Sequence, residues 1–137
     1  MPRYEILSHT ADAGIVASGA SLAEAFENAA FGMFDLVFDL SGVSATEECR
    51  VQVEAESLGE LLVAWLSALL TEAEIRNLAF SRFVVEDPAG GSLQGTAWGG
   101  PFAGLELRGP PVKAVTYHDL AVEPEPGGWR ARVIFDV

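Results

Sequence analysis

Alternating hydrophobic and polar residues mark several β-strands along the chain. The pattern is cleanest over residues 47–56 and returns over residues 129–136. Such alternation is typical of a strand that buries one face. The apolar faces predicted for the two strands are Cys49, Val51, Val53 and Ala55, and Trp129, Ala131, Val133 and Phe135, with Arg130, Arg132, Ile134 and Asp136 on the opposite face of the second strand.

Two capping boxes predict two helices. Ser21 precedes Glu24 by three residues, and Ser57 precedes Glu60 in the same way; serine at an N-cap with glutamate three positions later is a helix-start signal. The second helix is expected to run to about Arg76. It is apolar nearly all round, which predicts burial on two sides or one side presented to a partner. The first helix is expected to end near 41–42, with one apolar stripe formed by Leu22, Phe26, Ala29, Met33 and Val37.

Most of the remaining segments are predicted to be strands. A hairpin is predicted around the turn Pro88-Ala89-Gly90-Gly91. The other strands are expected at 4–8, 14–18, 79–87, 92–98, 112–117 and 120–123. Two helices packed on a mainly antiparallel sheet, in two layers, give an α+β fold, with residues 1–137 as a single domain. The glycine-rich stretch 88–111 leaves its own conformation open.

Charge limits the partners that the chain can bind. Twenty acidic residues against eight basic ones give a formal net charge of -12. Because nucleic acids are bound largely through lysine and arginine, strong direct binding to RNA or DNA is not expected. An acidic surface suits metal cations, basic partner proteins or solubility alone. A single cysteine, the absence of a signal-peptide pattern and the lack of a long uninterrupted apolar run favour a cytoplasmic protein without a membrane span.

Few residues combine into a recognisable catalytic pattern. Cys49 has two histidines available in principle as bases, but it falls on the apolar face of a strand, where a free cysteine is usually a small buried hydrophobe. Asp12 lies in a predicted turn and Asp136 at the end of the last strand, positions typical of a turn-former and of a solvated terminus. If the two came together with the Val137 carboxylate, they would attract a hard cation. Spacing alone does not show that they meet. Lys113 is the only lysine, which is compatible with chance or with a need for a compact ammonium group.

Three segments resemble the signature segments of the archease family. They are His9-Thr10-Ala11-Asp12, the stretch from Val112 to His118, and Val133-Ile134-Phe135-Asp136-Val137. Their order and the chain length also match. The resemblance implies a protein cofactor of the GTP-dependent RNA-splicing ligase, which joins a 3′-phosphate or cyclic phosphate end to a 5′-hydroxyl end. Such an activator promotes guanylylation of the ligase and multiple turnover, and is not itself an enzyme.

The resemblance also implies a functional tip formed by Asp12, Lys113 and Asp136. Calcium, or another divalent cation, would be bound by Asp12, Asp136 and an oxygen of Val137. The candidate supporting residues are His9, Thr116 and His118. The sequence leaves open whether the ligated RNA belongs to tRNA splicing or RNA repair, which metal is physiological and which oligomeric state the chain adopts.

Two other functions fit parts of the sequence. A chaperone-like adaptor would use the apolar helix around Trp65 as an exposed surface, and would be indifferent to changes at Asp12 or Asp136. A small metal-dependent phosphatase or nuclease would need more ligands than two aspartates and a terminus, and activity without a partner.

Overall fold

We describe residues 3–7, 13–88 and 90–137 of a computed structural model. In this structure, both helices begin at the serines that the capping boxes predict. The Ser21 hydroxyl accepts the Glu24 N–H at 3.1 Å, and the Ser57 hydroxyl accepts the Glu60 N–H at 3.2 Å. Because side-chain oxygens satisfy these otherwise unpaired N–H groups, the chain enters each helix at a defined residue. The helices are α1 (Leu22–Asp35) and α2 (Leu58–Arg76).

The two helices end differently. Helix α1 ends at Asp35, earlier than the predicted stop at 41–42, and a short 3₁₀ turn over Leu40–Gly42 follows it. Val37 lies beyond the helix and is nevertheless buried. Its apolar side chain therefore belongs to the core and does not indicate how far the helix extends. Helix α2 ends near Arg76 as predicted, and Asn77 caps it in the left-handed conformation with a φ of 55°.

The strands form two antiparallel sheets. Their bounds are β1 (Tyr4–Leu7), β2 (Ala13–Gly19), β3 (Glu47–Glu54), β4 (Leu78–Val85), β5 (Ser92–Pro101), β6 (Ala114–Val115), β7 (Ala121–Glu125) and β8 (Gly128–Asp136). In the first, the order is β1-β2-β8-β6, and β7 also pairs with β8. In the second, β5 lies between β3 and β4, and the pairing of β4 with β5 is the predicted hairpin; Ala89 of its turn lies outside the described residues.

The helices lie between the two sheets. Helix α1 contacts β2 and β8 of the first sheet and β4 of the second, while α2 contacts β3 on one side and β6 and β7 on the other. The α+β class, with two helices and antiparallel strands, is therefore confirmed. The strands, however, divide into two sheets where the sequence analysis expected one, so each helix is covered from both sides.

This arrangement explains why α2 is apolar nearly all round. Trp65 is fully buried, and its indole Nε1–H donates to the carbonyl oxygen of Phe26 at 3.1 Å. Helix α2 is thus buried on two sides, and the Trp65 region is not the exposed surface that the adaptor hypothesis requires. The buried residues of α2 are Leu61, Leu62, Val63, Trp65, Leu66, Leu69 and Ala73.

Cys49 and Val51 of β3 are buried on the side that alternation predicted. No helix among residues 3–7, 13–88 and 90–137 has the length and apolar composition needed to cross a membrane.

Candidate functional site

The end of strand β8 is flanked by two other parts of the chain. On one edge, Phe135 pairs with Ala13, the first residue of β2. On the other edge, Phe135 pairs with Val115 and Asp136 with Ala114, in the short strand β6. Two of the segments singled out in the sequence, 112–118 and 133–137, are therefore neighbours in one sheet.

Lys113 and Asp136 are held next to each other by the backbone. The Lys113 N–H donates to the Asp136 carbonyl oxygen at 2.7 Å. Val112, which precedes Lys113, and Phe135, which precedes Asp136, are both buried. Lys113 and Asp136 themselves are exposed. The geometry thus presents an ammonium group and a carboxylate to solvent from a backbone that is fixed by the core.

Thr116 and His118 form the turn that follows β6. The Thr116 N–H and its hydroxyl both donate to the Ile134 carbonyl oxygen, at 3.0 and 2.9 Å. The same hydroxyl accepts the His118 N–H at 3.3 Å. The His118 ring is exposed, and its Nε2 lies 3.4 Å from Oδ2 of Asp119, which has a φ of 52°. Thr116 therefore ties the turn to β8, while His118 faces solvent.

Two of the predicted site residues, Asp12 and His9, lie outside the described residues. Their nearest described successor in the chain is Ala13, which pairs with the residue before Asp136. Within the described ranges, no group of three His, Cys, Asp or Glu side chains lies close enough to hold a metal ion. Asp136 and Val137 are the predicted ligands that the structure describes.

The donor chemistry at the end of β8 fits a hard cation. The Asp136 side chain is exposed, and Val137, which packs against the core, supplies further oxygen atoms next to it. Carboxylate and carbonyl oxygens are what calcium prefers, usually six to eight of them. Asp136 and Val137 therefore fit calcium by type, and more oxygen ligands would have to complete the set.

Ile134 differs from the sequence prediction. Alternation placed it on the polar face of β8, but it is only 2% exposed. The reason is Gly14, its partner on β2: a Cβ atom there would lie 2.6 Å from Ile134 Cδ1 and 3.2 Å from Leu7 Cδ1. Ile134 and Leu7 occupy the space that a larger side chain would fill. A glycine inside a predicted strand was the available signal for this close packing.

Cys49 is unsuited to nucleophilic chemistry. The thiol is buried, and burial raises its pKa, with the nearby Glu72 carboxylate adding to the effect. Because the thiolate is the reactive form, the structure supports the packing role that the sequence predicted.

The fold and the Lys113–Asp136 pair define a class of protein: a small α+β domain that presents charged groups at the end of a central strand. Residues 4–137 match the family described as the Archease protein family (MTH1598/TM1083). The chain belongs to the archease family.

Relatives and solved structures match all or nearly all of the chain. It is 41% identical to a protein archease of Methanothermobacter thermautotrophicus, over 100% of both chains, and 39% identical to a protein archease of Sulfurisphaera tokodaii, over 90% of each. The solution structure of Methanobacterium thermoautotrophicum protein 1598 matches with a TM-score of 0.87 at 41% identity, covering 100% of both chains. The crystal structure of a Thermotoga maritima archease, described as a possible chaperone, shares the fold, with a TM-score of 0.65 at 24% identity over 97% of this chain and 96% of that one.

Proposed function

We propose that this protein activates the GTP-dependent RNA-splicing ligase, promoting guanylylation of the ligase and multiple turnover in tRNA splicing or RNA repair. Family membership supports the proposal. The observation that carries it is the backbone hydrogen bond between Lys113 and Asp136, which holds the two exposed side chains at the end of β8.

The side chains of this tip act as fixed charges in the ligase active site. The Lys113 ammonium group attracts phosphoryl oxygens as a compact point charge, which a planar guanidinium does not reproduce. Asp136 and a Val137 oxygen, together with Asp12, would hold a divalent cation, which we take to be calcium. Such a cation would supply positive charge for phosphoryl oxygens. Because the backbone at Lys113 and Asp136 is anchored by buried neighbours, little ordering is required when the ligase binds.

The reacting groups belong to the ligase, and this chain contributes position and charge. This chain does not bind RNA by itself, which agrees with its net charge of -12. We place the protein in the cytoplasm, a compartment that its single cysteine suits, and there it acts as a cofactor of another protein.

A ligation assay with excess RNA and a substoichiometric amount of this protein tests the proposal. The Lys113→Ala variant should lose most of the stimulation of turnover, by about tenfold or more, because removal of a charge aimed at the transition state raises the barrier. Lys113→Arg should restore it poorly. Arg50→Ala is the matched control, since the Arg50 side chain is 83% exposed on the other sheet. Full stimulation by Lys113→Ala would refute the assignment of this residue.

Calorimetry tests the cation. Calcium binding by the unsubstituted chain should be lost in Asp136→Asn, which removes a charged ligand at almost constant size. Asp87→Asn, at an exposed position in the β4–β5 turn, is the control. Retained binding in Asp136→Asn would move the site elsewhere.

A further inference from the structure

An open apolar groove lies next to the chain segment that leads into Lys113. It has a volume of about 500 Å³ and lies between the ends of the two helices and the segment 102–112. Residues from all three parts line it, among them Phe38, Leu70, Phe102, Leu105, Leu107 and Pro111. Pockets of this size and composition are typical of sites that receive apolar groups.

Backbone pairing holds the outer wall of the groove in place. Phe38 and Leu107 form an isolated antiparallel bridge. The Arg108 N–H donates to the Val37 carbonyl oxygen at 2.7 Å, and the Phe38 and Phe102 rings stack with their centroids 5.8 Å apart. Leu107 nevertheless remains 67% exposed. The groove is thus preformed, and a large aliphatic side chain stands uncovered on its wall.

The charge around the groove is negative. Among the described residues that line the groove, the charged residue is Glu74. Glu106, between Leu105 and Leu107, is also exposed. The neighbouring Arg108 is already paired with Asp35 at 3.0 Å and Asp39 at 3.6 Å. A segment with basic flanks therefore complements this rim, whereas an acidic one is repelled.

The groove and the tip are adjacent along the chain. Pro111 and Val112 line it, and Lys113 is the next residue in the chain. Val112 is buried against the core, so its position couples the groove wall to the lysine. A partner that covers the tip is therefore in reach of the groove.

We propose that the groove binds an amphipathic segment of the ligase, in which apolar side chains fill the groove and flanking lysines or arginines face Glu74 and Glu106. Grooves of this kind receive an apolar helix face or a few anchor side chains. The inference rests on the proposed function and extends it. The tip acts on the reaction, whereas the groove supplies affinity.

The two roles predict different defects. Leu107→Asp should raise the concentration of activator needed for half-maximal stimulation of its own organism's ligase by ~10- to 100-fold, as expected from loss of one buried leucine. Turnover at saturating activator should return to the unsubstituted level. The control is Val84→Asp, which places the same charge at a 43%-exposed aliphatic position on the other sheet. Tip variants should show the opposite result: low turnover at saturation with a nearly unchanged half-maximal concentration.

Charge reversal provides a second, independent measurement. Glu74→Lys should weaken the complex with the ligase, measured by calorimetry, by ~3- to 10-fold at low salt and less at high salt, because rim charges are screened. Glu86→Lys, at an exposed glutamate directly after β4, is the control for net charge. Circular dichroism should report the same fold for all four variants.

The outcomes separate the two proposals. If the unsubstituted chain stimulates the ligase and Leu107→Asp does so at the same concentration, the groove inference is overturned and the proposed function stands. If the unsubstituted chain neither binds nor stimulates the ligase, both fall. If sedimentation shows that Leu107→Asp converts a dimer into a monomer, the groove is occupied by a second copy and the inference is again overturned.

Discussion

Glu27 shows how one carboxylate links a helix to the second sheet. Its Oε2 accepts the backbone N–H of Val85, the last residue of β4, at 2.8 Å. Burial is the largest influence on Glu27 and raises its pKa, while the hydrogen bond from Val85 opposes the rise. The folded protein therefore holds the Glu27 proton more tightly than the unfolded chain, and the free energy of unfolding falls as pH increases through the Glu27 titration.

Two substitutions at Glu27 separate charge from hydrogen bonding. Glu27→Gln keeps an acceptor oxygen and removes the charge. Its free energy of unfolding, compared with that of the unsubstituted chain, should rise as the pH increases from below the pKa of Glu27 in the unfolded chain to above its pKa in the folded protein. Glu27→Ala leaves the Val85 N–H without its partner and should cost ~1–3 kcal/mol at acidic pH. This cost should fall as pH rises through the Glu27 titration, because the alanine variant also lacks the titrating group. Urea unfolding at acidic and neutral pH measures both. A constant difference between Glu27→Gln and the unsubstituted chain across this range would contradict the prediction.

At the scale of elements, the contact between α2 and β5 depends on a size match. The Trp65 ring lies over Gly95, where an added Cβ would be 2.6 Å from both Cη2 and Cζ3 of the indole. The indole is fully buried and hydrogen-bonded to Phe26, so it has little freedom to move away. A large side chain on the helix thus requires the smallest residue on the strand.

Gly95→Ala should therefore destabilise the fold by ~1–3 kcal/mol, as overpacking does. Combined with Trp65→Phe, it should cost less than the sum of the two single changes, because phenylalanine removes the ring atoms that clash. Thermal or urea unfolding of the four proteins gives the coupling. Gly42→Ala is the control, since its nearest contact would be an ordinary 3.6 Å to Leu105. If the effects of Gly95→Ala and Trp65→Phe on the free energy of unfolding simply add, the prediction is wrong, and Trp65 relieves the clash by shifting.

At the scale of the whole molecule, the charge balance predicts how RNA is reached. With a net charge of -12, the protein should not shift RNA in a mobility assay at micromolar concentration and physiological salt, since it has few cations with which to release counterions. The mixture with the ligase should bind RNA as the ligase does. Direct binding by this chain alone, lost on Arg130→Ala or Arg132→Ala, would instead reveal a basic patch on β8.

The elements that the sequence predicts well are those with local causes. The serines at 21 and 57 start helices because a hydroxyl within three residues satisfies an N–H. The burial of Cys49 follows from alternation within its own strand. Errors occur where the cause is distant: Ile134 is buried because Gly14, far away in sequence, leaves room for it. The predicted strand at 112–117 shrinks to Ala114–Val115, because the chain pairs with β8 only at its end.

The sequence by itself determined the α+β class, both helix starts, the acidity, the buried cysteine and the segments that resemble the archease family. The tertiary structure decided that the strands form two sheets around the helices, that Lys113 lies against Asp136, and that an apolar groove opens beside them. The physical reason is that periodicity and capping act over a few residues. Strand partners and cavities depend instead on which distant surfaces can pack together.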